Sequence, residues 1–354
     1  MANQKITHLH EDETIPFQYS ITSYGADYPV DSLVKRLRED AILVPPFQRE
    51  YVWTIKQASR FVESLLLGLP VPGIFLAQET DTGKLLVIDG QQRLNTLLFF
   101  YNGIFEPTKR EFALTGVDSD FKGHTYRTLA PKDQLRLNDS IIHATIVRQD
   151  EPSEDLSSIY HIFERLNTGG KLLQPQEIRA AIYHGPFSLL LSDLNDDPHW
   201  RAIFGAPNKF LRDQELILRF LALHFESESY EAPMKSFLNS FMAKQRHLTM
   251  ISGAEMSETF TRTIKVVHDC FFLRSERPFR PERSLNAAIF DAVMIGLARR
   301  LVQESITDCD GMIQAYRALL KDAAFDKAIK KATANEVNVR QRLRLAIEAF
   351  STVK

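Results

Sequence analysis

The sequence predicts an α+β protein, with a mixed α/β N-terminal half followed by an all-helical C-terminal half. Three observations predict it. Short apolar runs rich in β-branched residues alternate with helical patterns as far as about residue 152. Beyond about residue 153 strand patterns almost vanish, and successive stretches place apolar residues three and four positions apart. One segment, "KLLVIDGQQRLNTLLFFYNG" at 84–103, runs a wholly apolar strand pattern directly into a helical one.

Taken in order, Asp31 is placed to cap a helix over "SLVKRLRED", whose Leu33, Val34 and Leu37 recur at helical spacing. "AILV" is a short strand that stops at Pro45 and Pro46. Thr54 caps a second helix, "IKQASRFVESLLLGL", which Gly68 and Pro70 end. "GIFLAQ" and "KLLVID" form a hairpin around Asp81, Thr82 and Gly83. "SIIHATIVRQ", residues 140–149, is a further strand. Helices follow in "LSSIYHIFERLN", "QPQEIRAAIYHG", "RDQELILRFLALHF", "MKSFLNSFMAKQRHL", "TFTRTIKVVHDCFF", "LNAAIFDAVMIGLARRLV" and "VRQRLRLAIEAFSTV". The division falls at 1–152 and 153–354. Neither a fixed-period repeat nor a low-complexity linker separates the halves, so they are expected to pack together.

Composition narrows the function classes. With 44% hydrophobic and 25% charged residues the chain is of globular type, and no apolar run reaches the roughly 20 residues of a membrane span. The start, "MANQKITHLHEDETIPF", has polar and acidic residues where a signal peptide has an apolar core. Two cysteines, Cys270 and Cys309, argue against a disulfide framework and for a reducing, cytoplasmic setting. A net charge of −2 gives no electrostatic case for tight non-specific nucleic-acid binding by the whole molecule, although a local basic patch stays open.

The chemistry concentrates at the strand-to-helix junction. "LLVI" shows no polar alternation and reads as a strand buried on both faces. The helix after it is expected to begin near Gly90 and to bury Leu94, Leu97, Leu98 and Tyr101 or their neighbours. A helix start has backbone N–H groups without intrahelical partners and a dipole that favours anions, so this arrangement suits phosphate. Gly90 lets a ligand approach the backbone, Arg93 can fork onto phosphate oxygens, and Gln91 and Gln92 offer amide donors and acceptors. A plainer reading explains part of the same pattern. Asp89 and Gln92 have capping-box spacing, and Arg93 is one turn from Asp89. Neither a Walker nor a Rossmann glycine pattern is present.

Two further stretches carry the same ambiguity. In "VPPFQREYVW", residues 44–53, the aromatics Phe47, Tyr51 and Trp53 either just pin a loop or hold Gln48 and Arg49 out toward a ligand. In "FERLNTGGKLLQPQEIRAA", residues 163–181, Asn167, Gly169 and Gly170 suit a helix end, while Gln174, Pro175 and Glu177 suit the next helix start. Asn167 could alternatively face a phosphate, base or metal.

These three stretches, in this order, resemble the DGQQR-motif family of bacterial defence proteins. That family includes the GmrS portion of GmrSD-type modification-dependent restriction enzymes and the N-terminal part of the phosphorothioation-sensing protein SspE. "RDQELILRFLAL" and "VNVRQRLRLAIEAF" extend the similarity into the helical half. The resemblance implies a ParB/sulfiredoxin-like domain that binds a nucleoside triphosphate, with the first helices after 153, to about 184, completing its site. It assigns Gln48 to the first motif, Asp89 to Arg93 to the second, and Phe163 with Asn167 to the third. The expected roles are Arg93 and the Gly90 amides on phosphates, with Asp89 orienting a water or a Mg²⁺ ion. Gln48, Arg49, Gln91, Gln92 and Asn167 would complete the nucleotide contacts.

Restriction members of the family carry an HNH-type nuclease. His184, His199, His224, His247 and His268 are scattered and form no metal-ligand pair in the sequence, so that nuclease is expected to be missing here. Sulfiredoxin chemistry is excluded because no cysteine lies near residues 89–93. The reading that results is a cytoplasmic nucleotide-binding protein and NTP hydrolase. It would act as a sensor or regulatory subunit in phage defence, with a separately encoded effector such as a nuclease. The alternative is a ParB-like DNA-binding module without turnover, for which "RSERPFRPERS" (274–284) supplies Arg277, Arg280 and Arg283.

Overall fold

In a computed structural model of the chain, the residues described are 20–44, 51–79, 82–118, 120–151, 157–166, 174–281 and 284–353. The first half builds one mixed five-stranded sheet. Its strands are β1 (Ser20–Pro29), β2 (Ile42–Leu43), β3 (Ile74–Gln78), β4 (Leu85–Asp89) and β7 (Ile141–Glu151), in the spatial order β1-β7-β3-β4-β2. The pairs β1–β7 and β3–β4 are antiparallel, whereas β3–β7 and β2–β4 are parallel. A separate small ribbon joins β5 (Ile104–Phe105) to β6 (Arg110–Glu111).

The period of two along each strand sends its side chains to two different cores. Leu85 and Val87 of β4, Ile74 and Leu76 of β3, and Ile142, Ala144 and Ile146 of β7 face one side. There they meet α1 (Val30–Arg38), α2 (Ile55–Leu66), α3 (Gln91–Asn102) and α4 (Pro131–Asp139). Leu86 and Ile88 of β4, Ala77 of β3 and Val147 of β7 face the other side and belong to the core of the helical half. The sheet is therefore a middle layer, and the burial of "LLVI" on both faces follows from it. The two halves share a core, as the missing linker implied.

The helical half begins with α5 (Ser157–Leu166), α6 (Pro175–Ile182), α7 (Pro186–Asn195), α8 (Pro198–Phe204) and α9 (Arg212–Glu226). It continues through α10 (Met234–Gln245), α11 (Gly253–Cys270), α12 (Ala287–Leu301), α13 (Cys309–Lys321), α14 (Ala323–Lys330) and α15 (Glu336–Ser351). Helix α12 is apolar nearly all round because it is the central helix, buried along almost its whole length. Gly296 allows it to touch α15, since a Cβ there would lie 2.9 Å from the Ala346 carbonyl oxygen. One carboxylate, Asp291 on α12, is fully buried between Arg219 of α9 (2.6 Å) and Arg342 of α15 (2.7 Å). Burial opposes its ionisation, but the two guanidinium groups hold the Asp291 carboxyl below its ordinary range.

Three expectations need correction. The first helix starts at Val30 after Pro29, so Asp31 lies inside its first turn and does not cap it. Leu98 and Tyr101 of α3 are only half-buried, and Thr96 and Phe100 fill the interior beside Leu94 and Leu97. Cys270 and Cys309 are joined as a disulfide that ties the end of α11 to the start of α13, 39 residues later. The packing of α11 against α13 brings together two cysteines whose small number had argued against a disulfide framework.

Candidate functional site

Strands β2 and β4 run parallel as neighbours, with Ile42 opposite Leu85 and Leu43 opposite Leu86. Their carboxyl ends therefore emerge on the same side, which is where α/β sheets of this kind place ligands. The segment after β2 leads into the first motif, and the segment after β4 is the second. Gln48, Arg49 and Phe47 of the first motif lie outside the described residues, but its end, Tyr51 to Trp53, is described.

The second motif is built as follows. Asp89 ends β4 with its side chain 53% exposed. Gly90 takes φ +104° and serves as N-cap of α3, with no side chain capping the helix start. A Cβ on Gly90 would lie 2.4 Å from Ile74 Cγ2, so the glycine is dictated by backbone conformation and by the close approach of β3. The sequence reading had attributed it to ligand approach. Gln91 opens the helix, half-buried.

Gln92 does not cap the helix as its spacing from Asp89 suggested. The capping box with Asp89 does not form. Its Oε1 instead accepts hydrogen bonds from the backbone N–H of Val52 (3.0 Å) and of Trp53 (3.3 Å). The end of the first motif is thereby clamped to the second. Tyr51 strengthens the clamp: its hydroxyl is 2.6 Å from Thr96 Oγ1, which donates to the Gln92 carbonyl oxygen at 2.7 Å. The Tyr51 ring packs edge-on against Phe99 and Phe105, and Trp53 packs against Phe61. Burial pushes the Tyr51 phenol up to about 12, with the Thr96 hydrogen bond opposing, so it works as a neutral hydrogen-bonding group. The anchoring role read for the aromatics holds for Tyr51 and Trp53.

Arg93 donates from Nη2 to Asp89 Oδ2 at 2.8 Å, and its side chain is only 14% exposed. Its buried Nε has no hydrogen-bond partner among the described residues. An unpartnered guanidinium N–H beside an uncapped helix start is a donor set suited to an anion. Asp89, with one oxygen engaged by Arg93 and half its surface open, is the carboxylate here that could hold Mg²⁺, an ion that needs only one or two protein ligands.

The third motif is largely structural where it is described. Phe163 is fully buried in the core that contains Leu86 and Ile88. Gln174 and Glu177 form the capping box expected at the start of α6, with Pro175 in its first turn. Arg179, 1% exposed, ties α6 to Asn239 (2.8 Å) and Glu215 (2.9 Å). Asn167 lies outside the described residues.

The helical half also grips the far end of the β3–β4 hairpin. Arg246 bonds both the His184 carbonyl oxygen (2.9 Å) and the Glu79 carboxylate. Burial would raise the Glu79 carboxyl, yet the Thr82 hydroxyl and Arg246 hold it below its ordinary range. The arginines proposed for DNA divide. Arg277 is exposed beside a cavity of about 190 Å³ walled by Phe204, Phe272 and Phe279. Arg280 is committed to the Phe204 carbonyl oxygen at 3.0 Å, and Arg283 lies outside the described residues. No helix among the described residues is long and apolar enough to cross a membrane.

The sequence reading missed the Gln92 clamp. The signal was present as a pair of motifs, "QREYVW" and "DGQQR", each of which was read separately. No curated protein matches the chain. Residues 30–184, which contain the strand-to-helix junction and its clamp, match the family described as GmrSD restriction endonuclease, N-terminal domain. Residues 30–184 thus form a domain of the kind found at the N-terminus of GmrSD restriction endonucleases, which indicates a component of a bacterial restriction or defence system.

Proposed function

We propose that the Asp89–Arg93 junction binds the phosphates of a nucleoside triphosphate and promotes their hydrolysis, and that this turnover makes the chain the sensor or regulatory part of its restriction system. The observation that carries the reading is the uncapped start of α3 with Arg93 beside it, its Nε unpartnered. Phosphoryl transfer to water requires charge neutralisation and positioning more than covalent chemistry. Arg93 and the first-turn N–H groups of α3 would hold phosphate oxygens, and Asp89 would orient the attacking water. When bound, Mg²⁺ held by Asp89 would neutralise phosphate charge. DNA and a separately encoded nuclease are the partners that this role requires.

The test is phosphate release from ATP, GTP, CTP and UTP with Mg²⁺, with and without DNA, in wild type and in Arg93→Ala and Asp89→Ala. Turnover by the wild type that both variants lose, with helical content retained, supports the reading. Salt-sensitive DNA binding without turnover or nucleotide binding would replace it with the DNA-binding module.

A further inference from the structure

His199 meets the neighbouring pair His268 and Asp269, about 70 residues later, on the helical half, well away in the chain from the nucleotide motifs. His199 lies in the first turn of α8, and His268 and Asp269 in the last turn of α11. The two imidazole rings stand edge-on with centroids 4.9 Å apart. One ligand atom from each of the three residues falls within 4.8 Å of the others. Reading the histidines along the chain had left them scattered, and the packing of α8 on α11 overturns that.

We propose that His199, His268 and Asp269 form a binding site for a transition-metal dication of the zinc class. Two imidazoles and one carboxylate are the ligand types that zinc, cobalt and nickel prefer, whereas Mg²⁺ prefers oxygen alone. Zinc holds such nitrogen and oxygen atoms at about 2.0–2.2 Å, so small side-chain rotations close the three atoms around one ion. Three protein ligands leave a coordination position for water or a further ligand, as in zinc sites that do chemistry.

The surroundings already orient these groups. The His268 ring stacks on Phe272, with centroids 5.5 Å apart and planes at 25°, which fixes its plane. Its Nδ1 is 2.8 Å from Asp269 Oδ1, and His199 Nδ1 is 3.6 Å from Asp197 Oδ1. Asp197 does not hydrogen-bond that ring; its Oδ1 caps α8 by accepting from the backbone N–H of His199 and Trp200 at 2.9 Å each, which fixes the helix start that carries His199. The end of α11 carries the negative pole of its helix dipole, which favours a cation. One group opposes binding: Lys265 Nζ lies 2.6 Å from Asp269 Oδ2. It is a mostly exposed side chain one turn away, and its pair with Asp269 is of the weak surface kind.

The experiment uses the full-length chain, free of any affinity tag and stripped of metal, titrated with Zn²⁺ and Co²⁺ in excess Mg²⁺. We expect one Co²⁺ per chain with visible ligand-field bands, displaced by Zn²⁺ and unaffected by Mg²⁺. His199→Ala and His268→Ala should each weaken binding roughly 100-fold or more, since loss of a supporting partner alone costs about 10- to 100-fold. His247→Ala, an exposed histidine elsewhere, should change nothing. Asp269→Asn keeps the shape of a half-exposed side chain and serves if a histidine variant fails to fold. Absence of the bands in the wild type, or undiminished Zn²⁺ affinity in folded His199, His268 or Asp269 variants, would overturn the proposal.

Discussion

Gly90→Ala separates the two explanations of the junction glycine. A residue with a Cβ pays roughly 1–2 kcal/mol to enter the left-handed region in which Gly90 sits. The new methyl would also lie 2.4 Å from Ile74 Cγ2 and 2.9 Å from Ile74 Cβ, and forcing such a group into a packed core costs about 1–3 kcal/mol. The sum, about 2–5 kcal/mol, is a large part of the 5–15 kcal/mol that domains typically have. Urea unfolding followed by fluorescence and circular dichroism measures it. Ile74→Ala, at a position 1% exposed, costs about 2–5 kcal/mol alone, but it removes the nearer of the two clashing atoms. The double variant should therefore be about 1 kcal/mol or more better than the sum of the singles, the φ cost remaining. A Gly90→Ala protein within about 0.5 kcal/mol of wild type, or a fully additive cycle, would refute the steric argument and return the glycine to ligand approach.

Other outcomes follow from the same geometry. Gln92→Leu should free the Val52 and Trp53 amides, costing about 1–3 kcal/mol and speeding their hydrogen exchange, whereas Gln92→Glu keeps the acceptor and should stay near wild type. Asp291→Ala should cost about 3–5 kcal/mol in denaturant unfolding, because it leaves Arg219 and Arg342 facing each other unpaired in the core. His224, 9% exposed, is depressed to about 4 by burial and then by the Arg299 charge, so the fold favours its neutral form. That contribution is complete above the unfolded value near 6.5 and falls by about 3 kcal/mol in all as pH drops from there to about 4. Stability measured across this range should flatten in His224→Phe.

The fold was readable wherever burial wrote a period into the chain. The "LLVI" run announced a strand with two covered faces, and α5, α6, α9 to α12 and α15 announced themselves by their apolar spacing, whereas α7, α8, α13 and α14 went unread. Strand β1 went unread because most of its residues are exposed, and its place comes from backbone pairing with β7, which leaves no hydrophobic pattern. Helix α4 escaped for a similar reason, since it buries only Leu137. Side-chain partners across distance were the least legible: Cys270 with Cys309, His199 with His268, and Gln92 with the Val52–Trp53 backbone all depend on how elements pack.

The five-residue motif therefore does not divide as its chemistry alone suggests. Gly90 is required by Ile74, and Gln92 Oε1 holds the end of the first motif, so both have an architectural role. Their work is to fix the carboxyl end of β4 against the segment that follows the neighbouring parallel strand β2. What they position is the Asp89–Arg93 pair at an uncapped helix start. On the proposed phosphate reading, a substitution at Gln92 should disturb the site through the geometry of the loop after β2, while one at Arg93 would remove a contacting group. The two would be told apart by whether the variant still binds phosphate with the loop displaced or loses the anion outright.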